Sequence, residues 1–157
     1  MKIHGKKIQT LNTEVVVIPR SNGEEYVFRA QAVLDFSEFE ELAPPPKPKI
    51  RTYPDGRKEA SPDDNFKDRL EEWQILRLHW MVLKSLEATD GLEWESVDMT
   101  KPDTFENYEK ELVSAGFTHA EVNMIVKVVT EANSLSSEKI EAATKRFLAG
   151  ERAARAS

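Results

Sequence analysis

The sequence predicts an α+β fold, mainly α: an N-terminal β-hairpin or small antiparallel sheet with a short helix, then a proline-rich linker, then a C-terminal helical bundle of about four helices. Three observations predict it. Two β-branched apolar runs flank Asn22-Gly23, six of the eight prolines fall between residues 42 and 64, and beyond them apolar residues recur at helical spacing to residue 148. The expected organisation is a hairpin and short helix over 1–43, a basic proline-rich linker over 44–61, a helical domain over 62–150 and a flexible tail over 151–157. At 157 residues the chain can bury a core without disulfides or metals.

In "TEVVVIPRSNGEEYVFRAQAV" the Asn22-Gly23 dipeptide suits a two-residue type I′ turn. That turn sets Val17 opposite Phe28, Val15 opposite Ala30 and Pro19 opposite Tyr26 on one face, with Ile18/Val27 and Val16/Arg29 on the other. A strand in "KKIQTL" would extend the pair into a small sheet. In "LDFSEFEEL" Asp35 is the expected N-cap, with Glu38 closing a capping box and Leu34 stapled to Phe39. The run Pro44 to Pro46 stops that helix. "PPPKP" satisfies the loose PxxP pattern of a polyproline ligand, yet a stiff spacer is the simpler use of it.

The long helix is expected to start with Ser61 as cap and Pro62 at its first position, with Asp63 and Asp64 favouring the positive end, and to run to about Glu87. Phe66, Leu70, Trp73, Leu76, Trp80 and Leu83 form one apolar stripe, with Ile75, Leu78, Val82 and Leu86 beside it. A face this wide predicts a helix covered on more than one side. Phe105, Tyr108 and Leu112 mark a third helix ending before Gly116. Thr118 and Glu121 form a capping box for a fourth, with Phe117 stapled to Val122 and Ile125, Val128, Val129 and Ala132 facing inward. A last helix begins near Ser136, carries Ile140, Ala143, Phe147 and Leu148, and stops at Gly150.

Chemistry is sparse. The chain has no cysteine, which removes disulfides, thiolate catalysis and sulfur-ligated metals and fits a reducing cytosol. His4, His79 and His119 stand at no zinc spacing, and no nucleophile, base pair or glycine-rich phosphate loop accompanies the many carboxylates. No catalytic residue, cofactor or metal ligand is therefore expected. A net charge of -6 opposes nucleic-acid binding, and the first residues hold only a four-residue apolar run, too short for a signal peptide or membrane span. Nine acidic and two basic residues lie between 87 and 111, against five basic and one acidic between 44 and 58, so the two segments could attract each other. "SAGFT" suggests a ubiquitin-associated unit only superficially, because the methionine usual in that binding loop is missing.

The expected work is done by surfaces. "EVNMIVKVVTEA" carries apolar residues around more of its circumference than a small core needs, so Met124 and Val128, with Phe147 on the last helix, are the candidate partner-binding residues. Trp80 is placed in the core, and joins the candidates on the reading that the central helix is itself the binding face.

In "EYVFRAQAVLDFSEFEELAPPPKP", and in the run from "LHWMVLKSLEATDGLEWESVDMTKPD" to "EKIEAATKRFLAG", the chain resembles tail assembly chaperones of long-tailed, siphovirus-like bacteriophages. The resemblance implies a non-enzymatic protein of the host cell cytoplasm that binds the tape-measure protein, keeps it soluble, helps recruit the major tail protein and is absent from the mature virion. Self-association is a further partner expectation. The alternative is a structural tail or neck component retained in the virion.

Overall fold

The computed structural model describes residues 1–8, 10–61, 64–134 and 137–156, and its fold is α+β and mainly α, with small antiparallel sheets. Strands β1 (Lys2–Ile3) and β2 (Lys6–Lys7) form a separate two-stranded turn, with His4 and Gly5 both at positive φ, and do not extend the main hairpin as expected. That hairpin is β3 (Thr13–Pro19) paired with β4 (Glu25–Gln31).

Its register differs from the expected one by one residue: Val16 faces Phe28, Val17 faces Val27 and Ile18 faces Tyr26. The cause is the turn. The Arg20 N–H donates to the Glu24 carbonyl at 2.7 Å and the Gly23 N–H donates to the Arg20 carbonyl at 3.0 Å. Ser21, Asn22 and Gly23 therefore make a three-residue loop, with Gly23 at φ 89 where the left-handed conformation is required. The slip turns β3 over, so Ile18 is buried and Val16 half-buried while Val15 and Val17 point out; Phe28 and Ala30 of β4 remain inside.

A two-stranded hairpin is marginal alone, and here the open edge of β4 is closed by side chains. Thr89 Oγ1 accepts from the Arg29 N–H at 2.8 Å and donates to the Arg29 carbonyl at 2.9 Å, and Ser85 Oγ donates to the Gln31 carbonyl at 2.8 Å.

Helix α1 (Ser37–Leu42) starts from Phe36; Asp35 Oδ1 accepts from the Ser37 N–H at 2.9 Å, so Asp35 closes a local turn in place of the predicted cap. Phe39 is fully buried, but Leu34 is exposed and forms no staple. The linker is more ordered than a spacer: β5 (Ile50–Thr52) and β6 (Lys58–Ala60) pair around Pro54-Asp55-Gly56, with Gly56 at φ 85 and Asp55 Oδ1 accepting from the Arg57 N–H at 3.0 Å. Both strands of this hairpin are exposed, and its base is tied by the Arg69–Asp64 ion pair at 2.6 Å and the Lys49 N–H to Asp64 Oδ2 bond at 2.7 Å.

Helix α2 spans Phe66–Leu86 and starts from Asn65, four residues beyond the predicted cap Ser61; Pro62 and Asp63 lie outside the described residues. Only its C-terminal half enters the core, with Trp80, Val82, Leu83 and Leu86 buried, while Ile75 and Leu78 are exposed. The helix is thus covered on more than one side over half its length alone. A short 3-10 turn (Pro102–Thr104) leads to α3 (Asn107–Ser114), and then α4 (His119–Asn133) begins with the predicted Thr118/Glu121 capping box. Helix α4 lies across both β3 and β4.

One core joins the main hairpin and helices α1 to α4: Ile18, Phe28, Ala30 and Phe39 pack in the same cluster as Trp80, Leu83, Phe105, Leu112, Ile125 and Val129. Polar contacts hold the ends. Arg20 meets Glu121 at 2.6 Å and stacks on Phe117 at 4.7 Å, and Asn12 Nδ2 donates to the Glu131 and Ala132 carbonyls at 3.1 and 2.9 Å, satisfying the last turn of α4. Helix α5 (Ser137–Ala156) has no buried residue, and it runs through Gly150 and the predicted tail without stopping. The predicted start at Ser136 lies outside the described residues.

Candidate functional site

The four residues predicted to bind a partner divide between inside and outside. Trp80 is 0% exposed and Val128 9%, whereas Met124 is 50% exposed and Phe147 65%. Helical spacing explains the split on α4, because Val122, Ile125, Val129 and Ala132 fix the inward face, Val128 lies at its margin and Met124 falls on the opposite side. Trp80 is removed from the candidates by its neighbours: Phe36 and Phe39 pack on it with ring centroids 5.4 and 5.7 Å away. Trp73 is half-buried and donates its indole N–H to the Ala43 carbonyl at 2.8 Å. Both rings serve the junction of α1 and α2.

Helix α5 carries an exposed apolar face. Ile140 and Phe147 lie two turns apart on one face with Leu148 beside them, and all three are exposed. Glu151 and Arg155 lie on that face, with Glu141, Lys145 and Arg152 along the edge beside Leu148. The first turn is anchored, because Lys139 Nζ meets Glu14 Oε1 at 3.0 Å and Glu131 Oε2 at 3.7 Å.

A second feature is an open groove of about 330 Å³ between α2 and the 102–106 segment. Ile75, Leu76 and Pro102 supply apolar lining, and Glu72, Asp103 and Glu106 supply carboxylates. Behind it His79 Nδ1 lies 3.2 Å from the Tyr108 hydroxyl, which also contacts Glu109 Oε1 at 3.3 Å. Burial, and then the Glu109 charge, push the Tyr108 phenol far above its ordinary pKa, so it stays protonated and acts as a hydrogen-bonding strut.

The acidic stretch builds local structure: Glu111 accepts from the Glu95 and Ser96 N–H groups at 2.6 and 3.0 Å, and Asp98 from the Thr100 N–H at 2.9 Å. The Thr100 hydroxyl and then its N–H hold Asp98 below its ordinary range, and for Glu111 burial, the largest single influence, is outweighed by the bonds from the Ser96 hydroxyl and the Glu95 and Ser96 N–H groups. Among the described residues no group of three or more His, Asp or Glu side chains is placed to hold a metal ion, and no helix is long and apolar enough to cross a membrane.

Sequence reasoning missed Ile75, Ile140 and Leu148 as surface residues. Their periodicity was visible, but a stripe on a helix has the same spacing whether or not something covers it. No protein-family model matches the chain, and neither a curated protein nor a solved structure matches it.

Proposed function

We propose that this protein is a non-enzymatic tail assembly chaperone of a long-tailed bacteriophage. It acts in the host cell cytoplasm, binding the tape-measure protein, keeping it soluble while the tail is built, and assisting recruitment of the major tail protein. The observation that carries the reading is α5: twenty helical residues with none buried, presenting Ile140, Phe147 and Leu148 to solvent. Such a face suits an apolar stripe on another helical chain, because pairing removes both from water. Met124 on α4 offers a further adaptable contact. The sequence resemblance supplies the identity of the client.

Co-expression with a tape-measure fragment tests this. Phe147→Glu should lower the soluble yield of the fragment while Phe147→Leu preserves it, with both variants folded by circular dichroism. An unchanged yield with Phe147→Glu removes α5 as the client surface. Mass spectrometry of purified particles addresses the alternative: a chaperone is depleted from them, and a structural component is present in stoichiometric amount.

A further inference from the structure

Strand β3 has an open edge. Along an antiparallel pair, backbone groups point alternately at the partner strand and away from it. Asn12 and Arg20 bond across to Ala32 and Glu24, so the even positions of β3 serve β4. Thr89 takes both backbone groups of Arg29, the residue facing Val15, from the far side of β4, so the odd positions point outward. Among the described residues no hydrogen bond engages the outward N–H and C=O groups of Thr13, Val15 and Val17. The side chains at that edge are bare as well: Val15 and Val17 are 46% and 44% exposed, and Val27, which faces Val17 from β4, is exposed too. Edge strands are ordinarily guarded by a lysine, a bulge or a covering loop, whereas the outward face of β3 carries no charge and its pairing no bulge. Helix α4 turns one flank toward this edge, since Glu121 meets Arg20 and Glu131 shares Lys139 with Glu14, while Asn133 on the opposite flank reaches Val33. Half-exposed Met124 lies on the same flank as Glu121 and Glu131, so apolar surface continues from the strand to the helix.

We propose that β3 pairs with β3 of a second copy, antiparallel and centred on Val15, forming a four-stranded sheet in the order β4, β3, β3, β4. The edge fits itself. In that register Val15 faces Val15 of the second copy and Thr13 faces its Val17, so every outward N–H and C=O of these three residues finds a partner. Any shift toward the turn brings Pro19, which has no N–H, opposite Thr13 or Val15 and leaves a carbonyl there unpaired; a shift the other way carries Val17 past Thr13, the first residue of the strand. No like charges are set opposite each other, because Glu14 faces Val16 of the second copy and is already held by its own Lys139 at 3.0 Å. A foreign extended segment can bond to the same groups, but it has to be ordered first, whereas a second β3 arrives already fixed in its hairpin. The assembly closes at two copies, since Thr89 and Ser85 already take the far edge of β4 at Arg29 and Gln31. The pairing rests on β3 and not on the reading of α5.

Sedimentation velocity on variants of the central residue tests it. Wild-type protein should sediment as a dimer at about 0.1 mM. Val15→Lys and Val15→Glu each set like charges face to face across the two-fold axis and should each weaken dimerisation by about tenfold or more. Mixed in equal amounts they should recover a dimer, because opposite charges then meet at the same point. Val15→Pro isolates the backbone: it removes an N–H that points away from β4, so the hairpin should stay folded by circular dichroism while the dimer is lost. A monomeric wild type would overturn the proposal and leave the edge to another chain. So would a dimer that survives Val15→Pro, or a mixture no more dimeric than its parts. If a Val15 variant loses its fold, Thr13→Lys mixed with Val17→Glu provides the same cross, since those positions oppose each other in the proposed register and the mixture must dimerise more than either variant alone.

Discussion

Trp80 is where packing and hydrogen bonding part company. Its ring is fully enclosed by Phe36, Phe39 and the core, yet its indole Nε1 has no hydrogen-bond partner among the described residues. Trp80→Ala should therefore cost about 3–5 kcal/mol of unfolding free energy, the range for truncating a buried large aromatic. Trp80→Phe should cost less than half as much, because it also removes a buried unpaired donor worth roughly 1–3 kcal/mol. Equal losses in urea titrations would show that the N–H is satisfied. Glu121 gives a pH signature. The Thr118 backbone N–H and then Arg20 hold its carboxyl below the ordinary range. A depressed folded-state pKa contributes stability that is present above the unfolded value and lost as pH falls through the folded one. Glu121→Gln should thus be less stable than the parent near neutrality, with the gap closing on acidification; urea midpoints across the acid range would check it, and a gap independent of pH would exclude the ion pair as its source.

At the scale of elements, two glycines make opposite predictions. Gly23 holds φ 89, and a Cβ there would meet no atom within 4 Å, so Gly23→Ala costs backbone strain alone, about 1–2 kcal/mol. Gly150 lies inside α5 with open space around it, so Gly150→Ala should strengthen that helix by roughly 0.5–1 kcal/mol. Thermal melts check the first and helical circular dichroism the second. The same two residues mark what was legible in the sequence. Existence and type of the main elements could be read from periodicity, and the Thr118/Glu121 box located the start of α4 to the residue. In β3 the run Val15 to Ile18 has no polar alternation to pin its face, so the register hung on the turn alone, and three loop residues in place of two reversed it. In β4, Arg29 between Phe28 and Ala30 fixed the inward side. At Gly150 the stop signal lost to the strong helix formers on either side. Of the proposed surface, Phe147 and Met124 were legible as apolar, but the burial of Val128 and Trp80 depends on which helices come to cover them, a tertiary fact.

At the scale of the molecule, the predicted division at residue 43 does not divide the core. The hairpin supplies Ile18 and Phe28 to the cluster that α2 and α4 complete, whereas α5 supplies nothing. Deletion of residues 137–156 should therefore leave the midpoint of thermal unfolding within a few degrees of the parent, with a loss of helical signal matching one helix; a collapse of the melt would mean that α5 is part of the cooperative unit. The contact between Val33 and Asn133, which pins β4's exit to the end of α4 at 2.8 Å, joins residues 100 positions apart. On a ribosome adding 5–20 residues per second, the hairpin waits roughly 5–20 s for the helix that covers it. Through that interval Ile18 and Phe28, buried in the finished fold, stand uncovered, on a hairpin whose other face keeps Val15, Val17 and Val27 exposed throughout. Such a nascent strand pair is sticky, so the yield of this protein should fall when translation slows between β4 and α4, and synonymous slow codons placed over residues 90–118 would cost more soluble product than the same codons placed after residue 137.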